Sequence, residues 1–200
     1  MSLTTRRQFL AGTTAGIALA LSGRGHTSSL AQPPASLIER ALVALDRHAG
    51  AILHRDRIGV VDFSRPSHEP RLFIVDLASR ASSRHLVAHG RGSDPAHSGW
   101  VQRFSNEPGS YASSEGAYAS GMVYPGKHGT SLRLAGLDLE NSNAEPRAIV
   151  VHAAWYVAPE MVREHGKLGR SEGCFAVAQA ELAQVLERLG TGRLLYAGKA

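Results

Sequence analysis

Cys174 is the only cysteine in a chain of 200 residues whose first thirty-one have the layout of an export signal. No internal disulfide can brace such a fold, so it must hold by apolar packing, and the thiol is left as an inert buried group, half of an intermolecular bridge, or a reactive nucleophile. Thr5-Arg6-Arg7-Gln8-Phe9-Leu10 is a twin-arginine pattern, followed by the weakly apolar run 11–21 and a small-residue stretch ending Ser29-Leu30-Ala31. Those three parts describe a bacterial export signal, with cleavage expected after Ala31. A membrane anchor is the competing reading. The run, however, is about half of the ~20 residues a bilayer requires and is diluted by Gly12, Thr13, Thr14 and Gly16. The mature chain is therefore expected in a periplasm or cell envelope, exported by the twin-arginine route and with no membrane span after cleavage.

Removing the signal changes the electrostatics. The formal charge is +5, and residues 1–31 hold Arg6, Arg7 and Arg24 with no acidic residue, which leaves +2 for residues 32–200. Lysine and arginine are scattered there without a dense run, so nucleic acid is not an expected partner. The remaining length suits one domain with one core, large enough to fold without disulfide or metal.

Ser36 preceding Leu37, Ile38, Leu42, Val43 and Leu45 predicts a capped amphipathic helix that closes near Gly50. Short apolar or alternating runs predict strands over 58–63, 72–77, 85–89, 117–124, 131–134, 148–152 and 193–196, separated by glycine, proline, serine and asparagine. Helical patterning returns at 159–165 and 179–189. The stretch 90–115 is polar and rich in glycine and serine, a loop of functional length. The expected architecture is mostly β, of the α+β class: a single domain with a few peripheral helices.

Several chemistries can be tested against this string. Gly169-Arg170-Ser171-Glu172-Gly173 matches the Gly-x-Ser-x-Gly elbow, but an α/β-hydrolase needs a later histidine and none follows His165. Neither Ser-x-x-Lys nor His-Glu-x-x-His occurs. Ten histidines keep a zinc site formally open, although His85, His89 and His97 have no nearby cysteine or tight carboxylate cluster, and no metal or other cofactor is expected.

What remains is Cys174 with His152, which ends the apolar run Ala148-Ile149-Val150-Val151. A free thiol has a pKa near ~8.5, so an adjacent imidazole is the usual means of raising its thiolate fraction. Gly173 would let the backbone turn tightly and aim its N–H groups at a developing oxyanion. A small core cysteine with a satisfied strand-end histidine is the alternative reading of the same residue types.

His152 followed by Gly169-Arg170-Ser171-x-Gly173-Cys174 resembles the His…Ser-His-Gly-Cys signature of L,D-transpeptidases, the YkuD-type cysteine enzymes that remodel peptidoglycan, and most closely their divergent murein branch. The resemblance extends over residues 103–106, 113–118, 124–129 and 131–137, roughly the C-terminal half of the mature chain. Glu172 stands where the common signature has histidine, and the interval from histidine to cysteine is somewhat longer than usual. The resemblance implies a YkuD-like β-sandwich catalytic domain over 32–200. Cys174 would be the acylated nucleophile and His152 its base, with a main-chain oxygen fixing the imidazole, while Ser171 and Gly173 frame the oxyanion loop.

Arg170 is a candidate contact for a stem-peptide carboxylate, because guanidinium binds carboxylates bidentately, with a structural ion pair to Glu172 as the competing reading. His128, next to Lys127 in the shared stretch, is a second candidate substrate contact, against a solvated loop histidine. The reaction implied is thiolate attack between the third, L-centred residue of a peptidoglycan stem and its terminal D-alanine. The thioacyl-enzyme then passes to a stem amine, to a lysine of an envelope protein, or to water. The alternatives are a noncatalytic peptidoglycan-binding module of the same fold and a cysteine endopeptidase or amidase cutting elsewhere in the stem.

Overall fold

Leu37, Ala41, Ala44 and Leu45 recur at helical spacing and are the buried face of the first helix, α1 (Ala35–Arg47). The computed structural model describes Met1 and residues 32–200, so the export signal read in 1–31 lies outside the described residues. The helix starts behind Pro34 with no side-chain cap, and Ser36 is already inside its first turn. Strands follow: β1 (Arg57–Asp62), β2 (Leu72–Asp76), β3 (Ser82–His85), β4 (Val87–Ala88), β5 (Gly116–Gly126), β6 (Gly129–Gly136) and β7 (Val150–Ala153). Then come α2 (Pro159–His165), β8 (Phe175–Val177), α3 (Leu182–Leu189) and β9 (Leu194–Gly198).

All nine strands join one mixed sheet in the order β3-β2-β1-β9-β5-β6-β7-β8-β4. The β1/β9 and β7/β8 pairs are parallel. The stretch 85–89, expected as one strand, is divided at Leu86: His85 ends β3 and Val87 begins β4, at opposite ends of the sheet. A single residue cannot bridge a flat nine-stranded sheet, so the sheet curls until its ends meet, and the two layers of this mostly β, α+β domain belong to one folded-over sheet. Arg71 closes the seam. It is fully buried, its backbone N–H donates to the His85 carbonyl and its Nε to the Val87 carbonyl at 3.0 Å.

The buried apolar residues gather in three clusters. The largest lies inside the fold, where Val61, Ile74, Tyr118, Leu132, Val151 and Phe175 from both layers meet Val185 and Leu189 of α3. A second lies outside, where α1 covers Ile58, Val60, Phe73 and Leu194, and a third, smaller one joins Ala88 and Ala176 of β4 and β8 to Val157 and Leu168. Strand β1 is buried on both faces, consistent with its nearly uninterrupted apolar sequence.

Candidate active site

Strand β7 is central, paired with β6 on one side and β8 on the other, and this fixes the backbone of His152 from both edges. Its side chain is 2% exposed. Nδ1 lies 2.8 Å from the Ala153 carbonyl, which can only accept, so Nδ1 carries the proton and Nε2 keeps a free lone pair. A main-chain oxygen thus holds the imidazole, and it belongs to the next residue along the strand. Burial lowers the pKa of His152, the Ala153 carbonyl partly opposes this, and nearby His128 lowers it further. The imidazole is therefore neutral at pH 7.

Cys174 immediately precedes β8, a three-residue strand that the sequence did not announce. Ala176 pairs with His152 and Phe175 with Val151 in the parallel ladder, and Cys174 and His152 open on one cavity of about 410 Å³. The Cys174 Sγ is 3.5 Å from the Ala148 carbonyl. Burial pushes the thiol above its ordinary pKa; the Val150 N–H, Arg147 and Lys127 pull it down, and Glu172 pushes it up. With the thiol held high and the imidazole held low, both groups are neutral at rest, and a thiol in that state needs a base to take its proton before it can attack a carbonyl.

The loop before Cys174 is tied down at Ser171. Its N–H donates to the His89 carbonyl at 2.9 Å, its carbonyl accepts from the Arg91 N–H at 2.8 Å, and its Oγ donates to the Cys174 carbonyl at 2.7 Å. The Gly173 N–H donates to Ser171 Oγ at 3.2 Å. The φ of Gly173 is 118°, and a Cβ there would lie 2.7 Å from the Ala112 carbonyl oxygen and 2.8 Å from Ile149 Cδ1. Gly173→Ala is expected to destabilise the fold by about 3 kcal/mol through backbone strain and overpacking, measured as a urea midpoint. A loss below about 1 kcal/mol would show that the turn relaxes freely.

Arg170 lines the cavity, with Nη1 donating to the main-chain carbonyls of Asp94 and Pro95. It makes no pair with Glu172, whose exposed carboxylate pairs with Arg91 at 3.1 Å. His128 occupies the two-residue turn between β5 and β6, which overhangs the site. It is exposed, yet its ring stacks on His152 with centroids 4.4 Å apart and planes 21° from parallel. A solvated loop histidine does not describe it.

Arg147 and Tyr156 line the same cavity and were not singled out from the sequence. Burial, with Cys174 and Glu172 as neighbours that disfavour a second negative charge, pushes the Tyr156 hydroxyl up to about 12, so it stays protonated. Beneath the loop that carries Cys174 lies another unforeseen group. Arg71 Nη2 donates to His89 Nδ1 at 2.7 Å, leaving Nε2–H of His89 directed at Asp94 Oδ2, 3.3 Å away. Among the described residues no cluster of three or more His, Cys, Asp or Glu side chains could hold a metal, and no helix is long and apolar enough to cross a membrane.

Solved structures with a similar chain trace include an L,D-transpeptidase from Mycobacterium smegmatis, at 12% identity and a TM-score of 0.42, covering 72% of this chain and 58% of that one. Another is L,D-transpeptidase 1 of Mycobacterium tuberculosis, at 12% identity and 0.39, covering 72% and 61%. A third, from Xylanimonas cellulosilytica, has 15% identity and 0.39, covering 78% and 68%. The chain thus spans about three fifths of the length of the two mycobacterial structures. No curated protein matches it in sequence. The model of the L,D-transpeptidase catalytic domain matches residues 32–197, nearly the whole described chain, and by that match the chain belongs to the L,D-transpeptidase catalytic domain family.

Proposed function

We propose that this chain is an exported cysteine acyltransferase acting on peptidoglycan stem peptides, with residues 1–31 as its twin-arginine signal and residues 32–200 as its catalytic domain in the periplasm or cell envelope. The observation that carries this reading is the placement of His152 on β7 and of Cys174 immediately before the parallel neighbour β8, both open to one cavity, with the imidazole held in the tautomer that leaves Nε2 basic. In the first step His152 Nε2 takes the Cys174 proton as Sγ bonds to the carbonyl carbon between the L-centre of residue three and the terminal D-alanine. Collapse of the adduct breaks the C–N bond, the imidazolium returns its proton to the departing amine, and a thioacyl-enzyme remains. An acceptor amine, from a neighbouring stem or from a lysine of an envelope protein, then attacks the thioester carbon and gives its proton to His152, and as the C–S bond breaks the imidazolium returns that proton to Cys174 Sγ. Water in that position yields L,D-carboxypeptidase trimming instead.

Lys127, Arg147 and Arg170 line the cavity against the single carboxylate of Glu172, which favours an anionic stem peptide as occupant. Arg170 keeps its role as a candidate carboxylate contact, and His128 is assigned to the cavity roof beside the reacting carbonyl. A second reading, a noncatalytic stem-peptide-binding module, has one observation in its favour: the upward push of burial on the Cys174 thiol. Mass spectrometry of tetrapeptide muropeptides incubated with the purified protein separates these, with Cys174→Ala as control. Loss of terminal D-alanine, alone or with crosslinked dimers, is the expected result; cleavage at another bond would assign an endopeptidase or amidase, and unchanged muropeptides would leave the binding module.

A further inference from the structure

Arg147 precedes β7 in the turn Glu145-Pro146-Arg147-Ala148. Its guanidinium is fixed from several directions: Nη1 donates to the Ser105 carbonyl and the Ser114 hydroxyl, both at 2.8 Å, and Nη2 donates to the Ala112 carbonyl. All three acceptors are uncharged. Among the described residues no carboxylate lies within ion-pair distance of this half-buried cation, although Asp56, Asp62, Asp138 and Glu172 all have arginine partners. A guanidinium held this way has an unanswered charge, and it faces the cavity.

Its position relative to the nucleophile is set by Gly173: Arg147 Nη2 is 3.1 Å from the point a Cβ on that residue would occupy. The backbone is strained on both sides of the contact. Tyr111, just before the Ala112 carbonyl, and Ala148, just after Arg147, are non-glycine residues with φ of 53° each, a conformation that costs roughly 1–2 kcal/mol per residue. The strained Ala148 presents its carbonyl to Cys174 Sγ at 3.5 Å. Meanwhile Glu172, two residues before the nucleophile, brings a negative charge to the loop, where it pairs with the exposed Arg91.

We propose that Arg147 is the fixed counter-charge of the Cys174 thiolate and of the anionic adduct that follows, supplied across the cavity from the β7 side because the nucleophile's own loop carries a carboxylate. The inference rests on Cys174 being the nucleophile of the reading above and is independent of which substrate it attacks. Its effect on the thiol has the matching sign, since Arg147 pulls the thiol pKa down against burial. A side chain serving only to tie the 105–114 loop to β7 would need its hydrogen bonds and not its charge.

With one cysteine in the chain, the rate of alkylation by iodoacetamide reads Cys174 directly. In the full-length protein Arg147→Gln is expected to raise the midpoint of the rate-against-pH curve by about one pH unit and to slow alkylation at pH 7 about tenfold, while Arg147→Lys retains most of the wild-type behaviour. A folded Arg147→Gln protein with the wild-type midpoint would overturn the proposal. A second measurement leaves Arg147 in place: in Lys127→Gln protein, with the flexible cation removed, iodoacetate should react at least as fast as iodoacetamide and lose that advantage in high salt. A ratio equal to that of glutathione, unaffected by salt, would equally overturn it. Inert muropeptides would sink the substrate assignment and leave these alkylation results standing.

Discussion

His152→Ala is expected to lower kcat/KM for stem tetrapeptide by about three orders of magnitude, and Cys174→Ala to abolish turnover, with both proteins retaining their fold. The distinction between the two lies in what remains. Without Cys174 there is no acyl carrier at any pH. Without His152 the thiol is still present, pushed by burial above its ordinary pKa, and its thiolate needs no base. Residual activity in His152→Ala should therefore climb with pH toward the pKa of the thiol. The wild-type profile should instead be flat through neutrality, falling only on an acid limb whose midpoint lies below that of an ordinary histidine, because burial and His128 hold His152 neutral. The pH dependence of kcat/KM for the three proteins is the check. A His152→Ala profile parallel to wild type would remove His152 from the proton path.

The parts of this site that could be read from sequence are those written locally. His152 ends an apolar run, and Cys174 sits in a glycine-flanked loop; strand register then brings them to one face because β7 and β8 are neighbours. Strand β8 itself was invisible, since three residues carry no period, and so was the division at Leu86, which depends on the sheet closing on itself. Arg147 escaped notice for a related reason. Nothing in Glu145-Pro146-Arg147 distinguishes it from a solvated turn until the 105–114 loop supplies three acceptors and Gly173 brings the nucleophile alongside. His128 lay in a recognisable stretch, but its stacking on His152 needed the hairpin to reach over the cavity.

Asp94→Ala is expected to cost 3–5 kcal/mol of stability, roughly the effect of breaking a buried charge pair, and to weaken activity although Asp94 lines no part of the cavity. Its carboxylate is buried, accepts the N–H groups of Ser98 and Gly99 at 2.8 and 2.7 Å, and faces His89 Nε2. Beyond His89 stands Arg71, itself fully buried and pushed down to about 9 by desolvation. Removing the carboxylate leaves that chain of polar groups without its terminal charge. The nucleophile loop rests on the same group, since the His89 carbonyl accepts the Ser171 N–H and the Asp94 carbonyl holds Arg170. Acid should attack this network in the wild-type protein as well. Burial and Arg71 lower the pKa of His89 to about 3, so between pH 6.5 and 3 the unfolded chain binds a proton that the folded one refuses. Stability contributed above pH 6.5 is then lost as pH falls, on the order of 5 kcal/mol over the whole window, at up to about 1.4 kcal/mol per pH unit. Urea midpoints from pH 7 to 4.5 test both statements. Wild type should decline more steeply than His89→Gln by the equivalent of one proton, whereas parallel slopes, or an Asp94→Ala loss below about 1 kcal/mol, would show that the nucleophile loop is supported elsewhere.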